Sequence, residues 1–194
     1  MLNANNYGYC KIGFDEKSIE YFRDNTQNIE SIVNRNLIYR YLWQHYKSNK
    51  MPFSNYFTMV KNCINTESSM NAVVQMLNSC QIYSNKYVKA GDEHKKFTEE
   101  AFDMVIGLFR SKSDPQDQNQ VASYALSFIP DTNLALKYLQ KDSVLDKDGE
   151  VVHESYHLTK SQKHQLLPMV YSSDDVDSVA KESIKQVSLF VRSP

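Results

Sequence analysis

The sequence predicts an all-α protein of antiparallel helix pairs stacked as a HEAT-like curved solenoid, with a short strand-like arm at its N-terminus. Three observations carry this expectation. Apolar residues recur at helical spacing in one window after another, with no long apolar run. Residues that cap or break helices punctuate those windows at short intervals. Only the first stretch, around Tyr7–Phe14, shows a partial period of two with aromatics and two glycines, as a strand would. The expected organisation is therefore a strand-like remnant over residues 1–14 and a helical domain over residues 15–194.

The helices follow in order. Asp15 caps the first, which runs through Asn25 with Ile19 and Phe22 turned inward. Ser31–Tyr46 is the central helix. Ile32, Val33, Leu37, Ile38, Tyr41, Leu42 and His45 form its broad apolar stripe, Asn34, Arg35, Arg40 and Gln44 its wet face. Trp43, the single tryptophan, lies beside that stripe and is expected to be buried. Lys47–Lys50 places cations at the C-terminus of the helix, where its dipole favours them, and Met51-Pro52 breaks the run. Phe53, Phe57, Val60 and Ile64 mark the next helix. Ser68 or Ser69 opens a longer one, carrying Val73, Val74, Leu77 and Cys80.

Asp92 is expected to cap a helix with Phe97, Ala101, Phe102, Val105, Ile106 and Phe109 facing in. Asp114-Pro115 reads as an N-cap followed by proline at the first helical position, and Pro130 stops that helix. Thr132 or Asn133 opens a short helix with Leu136 and Leu139. Lys141–Glu150 is a polar break whose Asp146-Lys147-Asp148-Gly149 has the composition of a turn. Thr159 and Gln162 form a capping box, Pro168 should kink or shorten the helix they open, and Ser173-Asp174-Asp175 caps a last one with Val176, Val179, Ile184 and Val187.

Composition narrows the function classes. A chain of 194 residues with 41% hydrophobic and 23% charged residues can bury a core. A net charge of −1 argues against nucleic acid or an anionic membrane as partner. No run is long and apolar enough to span a bilayer, and Met1–Gly13 lacks the basic start and apolar core of a secretory signal. Three widely spaced cysteines without a C-x-x-C, together with no N-x-[ST] sequon, point to free thiols in a cytoplasmic protein.

One motif points elsewhere. His153-Glu154-Ser155-Tyr156-His157 satisfies H-E-x-x-H, which on a helix lets two imidazoles hold zinc beside a glutamate general base. Its setting argues against that use. It follows directly on a turn, Ser155 replaces the usual apolar third residue, and the third-ligand spacing lands on Val176, flanked by Asp175 and Asp177. A surface histidine pair is the expected reading, and no catalytic, cofactor-binding or metal-binding residue is assigned. His45 reads as a hydrogen-bonded core histidine, and Lys95-Lys96 with Glu99-Glu100 as a solvated face.

Tyr7-Gly8-Tyr9-Cys10-Lys11-Ile12, then Asp15-Glu16-Lys17-Ser18, then Arg35-x-x-Ile38-Tyr39-x-x-Leu42-Trp43, resemble a junction in zinc aminopeptidases of the aminopeptidase-N type, such as the puromycin-sensitive and endoplasmic-reticulum enzymes. The resemblance is most specific over Tyr7–Ile64; beyond Ser68 it rests on helix order and length. The family often has tryptophan where Tyr39 stands. In that family a β-sandwich ends in such a strand, and the chain then enters a C-terminal HEAT-like helical domain. That domain closes over a thermolysin-like catalytic domain and limits which peptides reach its zinc.

The resemblance thus implies a non-catalytic C-terminal domain with no cofactor of its own, whose partners are the catalytic and β-sandwich domains or peptides in a concave groove. Two alternatives remain open. One is a free-standing helical-repeat module that binds another protein; the other is a small zinc peptidase using His153, Glu154 and His157.

Overall fold

The structure, a computed structural model, describes residues 12–172, and they are all-helical. Eight α-helices are present among them: α1 (Glu16–Asn25), α2 (Ile32–Lys47), α3 (Phe53–Cys63), α4 (Met70–Lys86), α5 (Asp92–Ser111), α6 (Pro115–Ser127), α7 (Thr132–Lys141) and α8 (Lys160–Tyr171). No strand occurs among the described residues; Leu145 and Val151 form one isolated antiparallel bridge. The strand-like arm is not seen. Tyr7–Lys11 of it lie outside the described residues, and Ile12–Phe14 adopt neither helix nor strand. The expected last helix after Ser173 also lies outside them.

Most helix starts obey local chemistry. The side chain of Asp15 accepts from Ser18 N–H, Ser31 from Asn34 N–H, and Asp114 from Gln116 and Asp117 N–H, each satisfying donors the first turn leaves over. Thr159 and Gln162 form the expected reciprocal capping box. Two starts differ. Gly91, not Asp92, precedes α5, so Asp92 instead sits in the first turn facing the helix dipole. Asp131 caps α7, one residue before the expected threonine. Pro168 lies within α8, whose last turn closes through Ser172 N–H onto the Pro168 carbonyl.

The chain divides into two compact units, Met1–Cys80 and Gln81–Pro194, with the boundary inside α4. In the N-terminal unit α1 and α2 both pack on α3. Trp43 is 8% exposed and lies 5.2 Å from the Tyr46 ring, 6.4 Å from Phe53 and 5.4 Å from Tyr56, centroid to centroid. In the C-terminal unit α5 packs on α6, α6 on α8, and α7 on α8. All six inward residues expected for α5 are buried; Phe97 meets Phe128 edge-on at 6.2 Å and Phe109 meets Tyr156 edge-on at 5.1 Å between centroids. Gly149 closes the expected turn at φ +83°, a left-handed conformation that favours glycine, and its N–H bonds the Asp146 carbonyl at 3.0 Å.

The central helix corrects the expected phase at one end. Leu37, Ile38, Tyr41, Leu42, Trp43 and His45 are buried, but Ile32 and Val33 are exposed and Arg35 is buried. The apolar stripe therefore stops a turn short of the N-terminus of the helix, and an arginine occupies the interior there.

Candidate functional site

The H-E-x-x-H residues stand on a turn rather than a helix. The helical geometry that would put His153 and His157 on one face is therefore absent. His153 Nδ1 shares a 3.0 Å hydrogen bond with Ser155 Oγ, and His157 Nδ1 lies 3.7 Å from Asp142 Oδ2 with its side chain 73% exposed. Glu154 is exposed. The buried member of the five is Tyr156, whose hydroxyl donates to Gln162 Oε1 (3.0 Å) and Asn119 Oδ1 (3.2 Å). Among the described residues no group of three His, Cys, Asp or Glu side chains is placed to hold a metal ion. Val176 and its flanking aspartates lie outside those residues.

A buried polar cluster forms around Glu67, a residue the sequence does not single out. Arg35 donates from Nε to Glu67 Oε2 (2.8 Å) and from Nη2 to Glu67 Oε1 (2.9 Å), a bidentate fork. Its Nη1 reaches the carbonyls of Ile29 (2.7 Å) and Glu30 (3.0 Å). The Tyr39 hydroxyl adds a donor to Glu67 Oε2 at 2.7 Å, and Ser69 N–H one to Oε1 at 2.9 Å. The Glu67 side chain has no solvent exposure. Burial alone would raise its pKa; the hydrogen bonds from Arg35, Ser69 and Tyr39 outweigh that and hold it at about 2.

Two neighbours respond to the same burial. The Tyr39 hydroxyl is pushed well above its ordinary value, and the Cys63 thiol up to about 11. Neither is available as a base or nucleophile near neutral pH. Every oxygen of Glu67 and every nitrogen of Arg35 is engaged, so the cluster can clamp the loops before α2 and before α4 but has no valence left for a substrate. It is a structural clamp.

His45 is the hydrogen-bonded core histidine the sequence suggested. Its Nε2 accepts from Phe14 N–H at 2.9 Å, so the proton sits on Nδ1, which faces the Tyr41 carbonyl at 2.9 Å. The C-terminal unit carries a cleft. About 340 Å³ in volume, it is lined by Lys95, Glu99, Phe102, Asp103, Pro130, Asp131 and Lys147. Phe102 forms its apolar floor, Lys147 Nζ lies 3.5 Å from Asp103 Oδ2, and Asp131 is engaged as the α7 cap. Its lining mixes charges of both signs, Lys95 and Lys147 with Glu99, Asp103 and Asp131.

No protein-family model, curated protein or solved structure matches this chain. No helix among the described residues is long and apolar enough to cross a membrane.

Proposed function

We propose that the chain is a non-catalytic helical domain of the aminopeptidase-N type, working by contact with the catalytic and β-sandwich domains and by shaping peptide access to a zinc held there. One observation carries the reading. Of the residues on which the resemblance rests, those of α2, Arg35, Ile38, Tyr39, Leu42 and Trp43, face the interior, with Arg35 and Tyr39 meeting on Glu67, while Asp15, Glu16 and Lys17 are exposed. A signature made of core and clamp residues is what a kinship of fold would preserve when the chemistry lies in another domain. The finer arrangement, antiparallel pairs stacked as a HEAT-like curved solenoid, belongs to the same proposal. It draws support from the packing of α5 on α6 and of α7 on α8. Buried free Cys63 and Cys80 suit a cytoplasmic setting.

Reconstitution tests this. The chain alone should hydrolyse no aminoacyl reporter substrate. Mixed with an aminopeptidase-N-type enzyme truncated before its own helical domain, it should form a complex and change the length of peptide preferred. Failure to associate, with both parts folded, would leave the free-standing module. Activity from the chain alone would overturn the non-catalytic reading.

A further inference from the structure

Ile12–Phe14 lie against α2 as a short strap. Ile12 is buried with Leu37 and Tyr41 in one cluster, and Gly13 is exposed. Phe14 stacks on the His45 ring at 5.5 Å between centroids, meets Tyr41 edge-on at 6.1 Å and lies 4.9 Å from Phe22 of α1. The strap's backbone is tied down at Phe14, whose N–H donates to His45 Nε2 at 2.9 Å.

A backbone N–H can only donate, so this bond requires a lone pair on Nε2 and hence a neutral ring. The rest of the site makes the opposite demand. Nδ1 already donates to the Tyr41 carbonyl at 2.9 Å, a bond that strengthens when the donor is charged. His45 also stands in the last turn of α2, where the helix dipole favours a cation. The helix prefers the imidazolium and the strap forbids it.

Charged groups surround the ring without bonding it. Asp15, next to the strap, turns its carboxylate to Ser18 N–H, and Glu16, Lys17 and Glu20 of α1 are exposed. On α2, Arg40 lies over the Tyr41 ring at 5.5 Å and Lys47 over the Trp43 ring at 5.8 Å. Lys61 of α3 lies over Phe57 at 4.9 Å, and Lys50, between α2 and α3, donates its backbone N–H to the His45 carbonyl. Among the described residues no carboxylate bonds either ring nitrogen of His45, so no counter-charge fixes the ring in one state.

We propose that the strap is a proton-gated latch: protonation of His45 at Nε2 breaks its bond to Phe14 N–H and frees Ile12–Phe14 from α2 while the helices stay folded. Release uncovers the Leu37 and Tyr41 row that Ile12 and Phe14 cover at neutral pH. The inference goes beyond the aminopeptidase reading and stands without it.

Amide exchange followed by NMR in the full-length chain tests it, with each rate corrected for its intrinsic pH dependence. Imidazoles titrate between about pH 7 and 5. The Glu67 clamp stays charged across that window, since Arg35 and the other donors outweigh burial and hold its carboxyl at about 2. Protection of Phe14 N–H should fall by about tenfold per pH unit once His45 charges, as a single coupled proton requires. Protection of Leu42, buried on α2, should hold over the same range. In the wild type the Nε2 resonance of His45 should titrate in step with the loss at Phe14. In His45→Gln, whose carbonyl can accept but takes up no proton, the pH dependence at Phe14 should vanish. A Phe14 amide protected down to about pH 5, a decline that persists in His45→Gln, or a parallel decline at Leu42 would each overturn the latch. The Nε2 titration in the wild type decides the matter even where the variant does not fold.

Discussion

In the N-terminal unit the side chain that ties loops to helices is charged; in the C-terminal unit its counterpart is neutral. Glu67 gathers Arg35, Tyr39 and Ser69 N–H, and through Arg35 the carbonyls of Ile29 and Glu30. Gln162, 2% exposed, accepts at Oε1 from Tyr156 OH (3.0 Å) and Thr159 N–H (2.9 Å). Its Nε2 faces Asn119 O (3.2 Å), Asn119 Oδ1 (3.1 Å) and Ser123 Oγ (3.3 Å) on α6. Both hubs are saturated, yet they differ in what damage does to them. A buried ion pair that loses one partner leaves a charge with nowhere to go, whereas a broken amide hub leaves only dipoles.

The largest expected effect follows from that difference. Arg35→Ala strands the Glu67 carboxylate in the interior and should destabilise the protein by about 3–5 kcal/mol. The C-terminal counterpart, Gln162→Ala, leaves Tyr156 OH and Thr159 N–H to find new acceptors and should lose about 1–3 kcal/mol. Denaturant midpoints of the two variants measure both. Equal losses would break the distinction between the hubs.

Acid sharpens it. Glu67 has its folded pKa depressed to about 2 from an ordinary 4.5, so its contribution is whole above 4.5 and drains away as pH falls towards 2. Over that window the wild type should lose stability that Glu67→Gln has already lost, so the gap between the two should narrow on acidification. Gln162→Glu should behave in the opposite sense. A carboxylate there faces the acceptors of Asn119, so its neutral form is preferred and stability should fall as pH rises. Parallel pH profiles for wild type and Glu67→Gln would mean that the clamp does not titrate as a unit.

The two hubs were unequally legible in the sequence. Thr159 and Gln162 are three apart, and local spacing alone announced their capping box. Periodicity marks faces and not partners, so it places Arg35 in water; what buries it is a glutamate 32 residues further along. One signal was available in retrospect: Arg35 shares a helical face with Ile38, Tyr39 and Leu42, so the inward stripe already contained it. Ile32 and Val33 depart from the expected stripe for the complementary reason: apolar character says nothing about whether a neighbour is there to meet it. Trp43, by contrast, needed no distant partner to be placed, because Phe53 and Tyr56 follow within one turn and one helix.

The smallest expected effect concerns the motif that most invited a catalytic reading. His157 reaches only the partly exposed Asp142, at 3.7 Å, and Lys163 Nζ lies closer to that carboxylate, 2.8 Å from Oδ1. An exposed pair of this kind contributes about 0–1 kcal/mol, and here a lysine already balances the charge. His157→Ala should therefore shift stability by less than about 0.5 kcal/mol. Tyr156→Ala, one residue away, should cost several times more, because it removes a buried ring 5.1 Å from Phe109 together with a donor to Gln162. Metal analysis of untagged protein accompanies the pair. Stoichiometric zinc in the wild type, lost in His157→Ala together with stability, would mean that the turn rearranges around a metal and that the histidines, not the tyrosine, are why the segment exists.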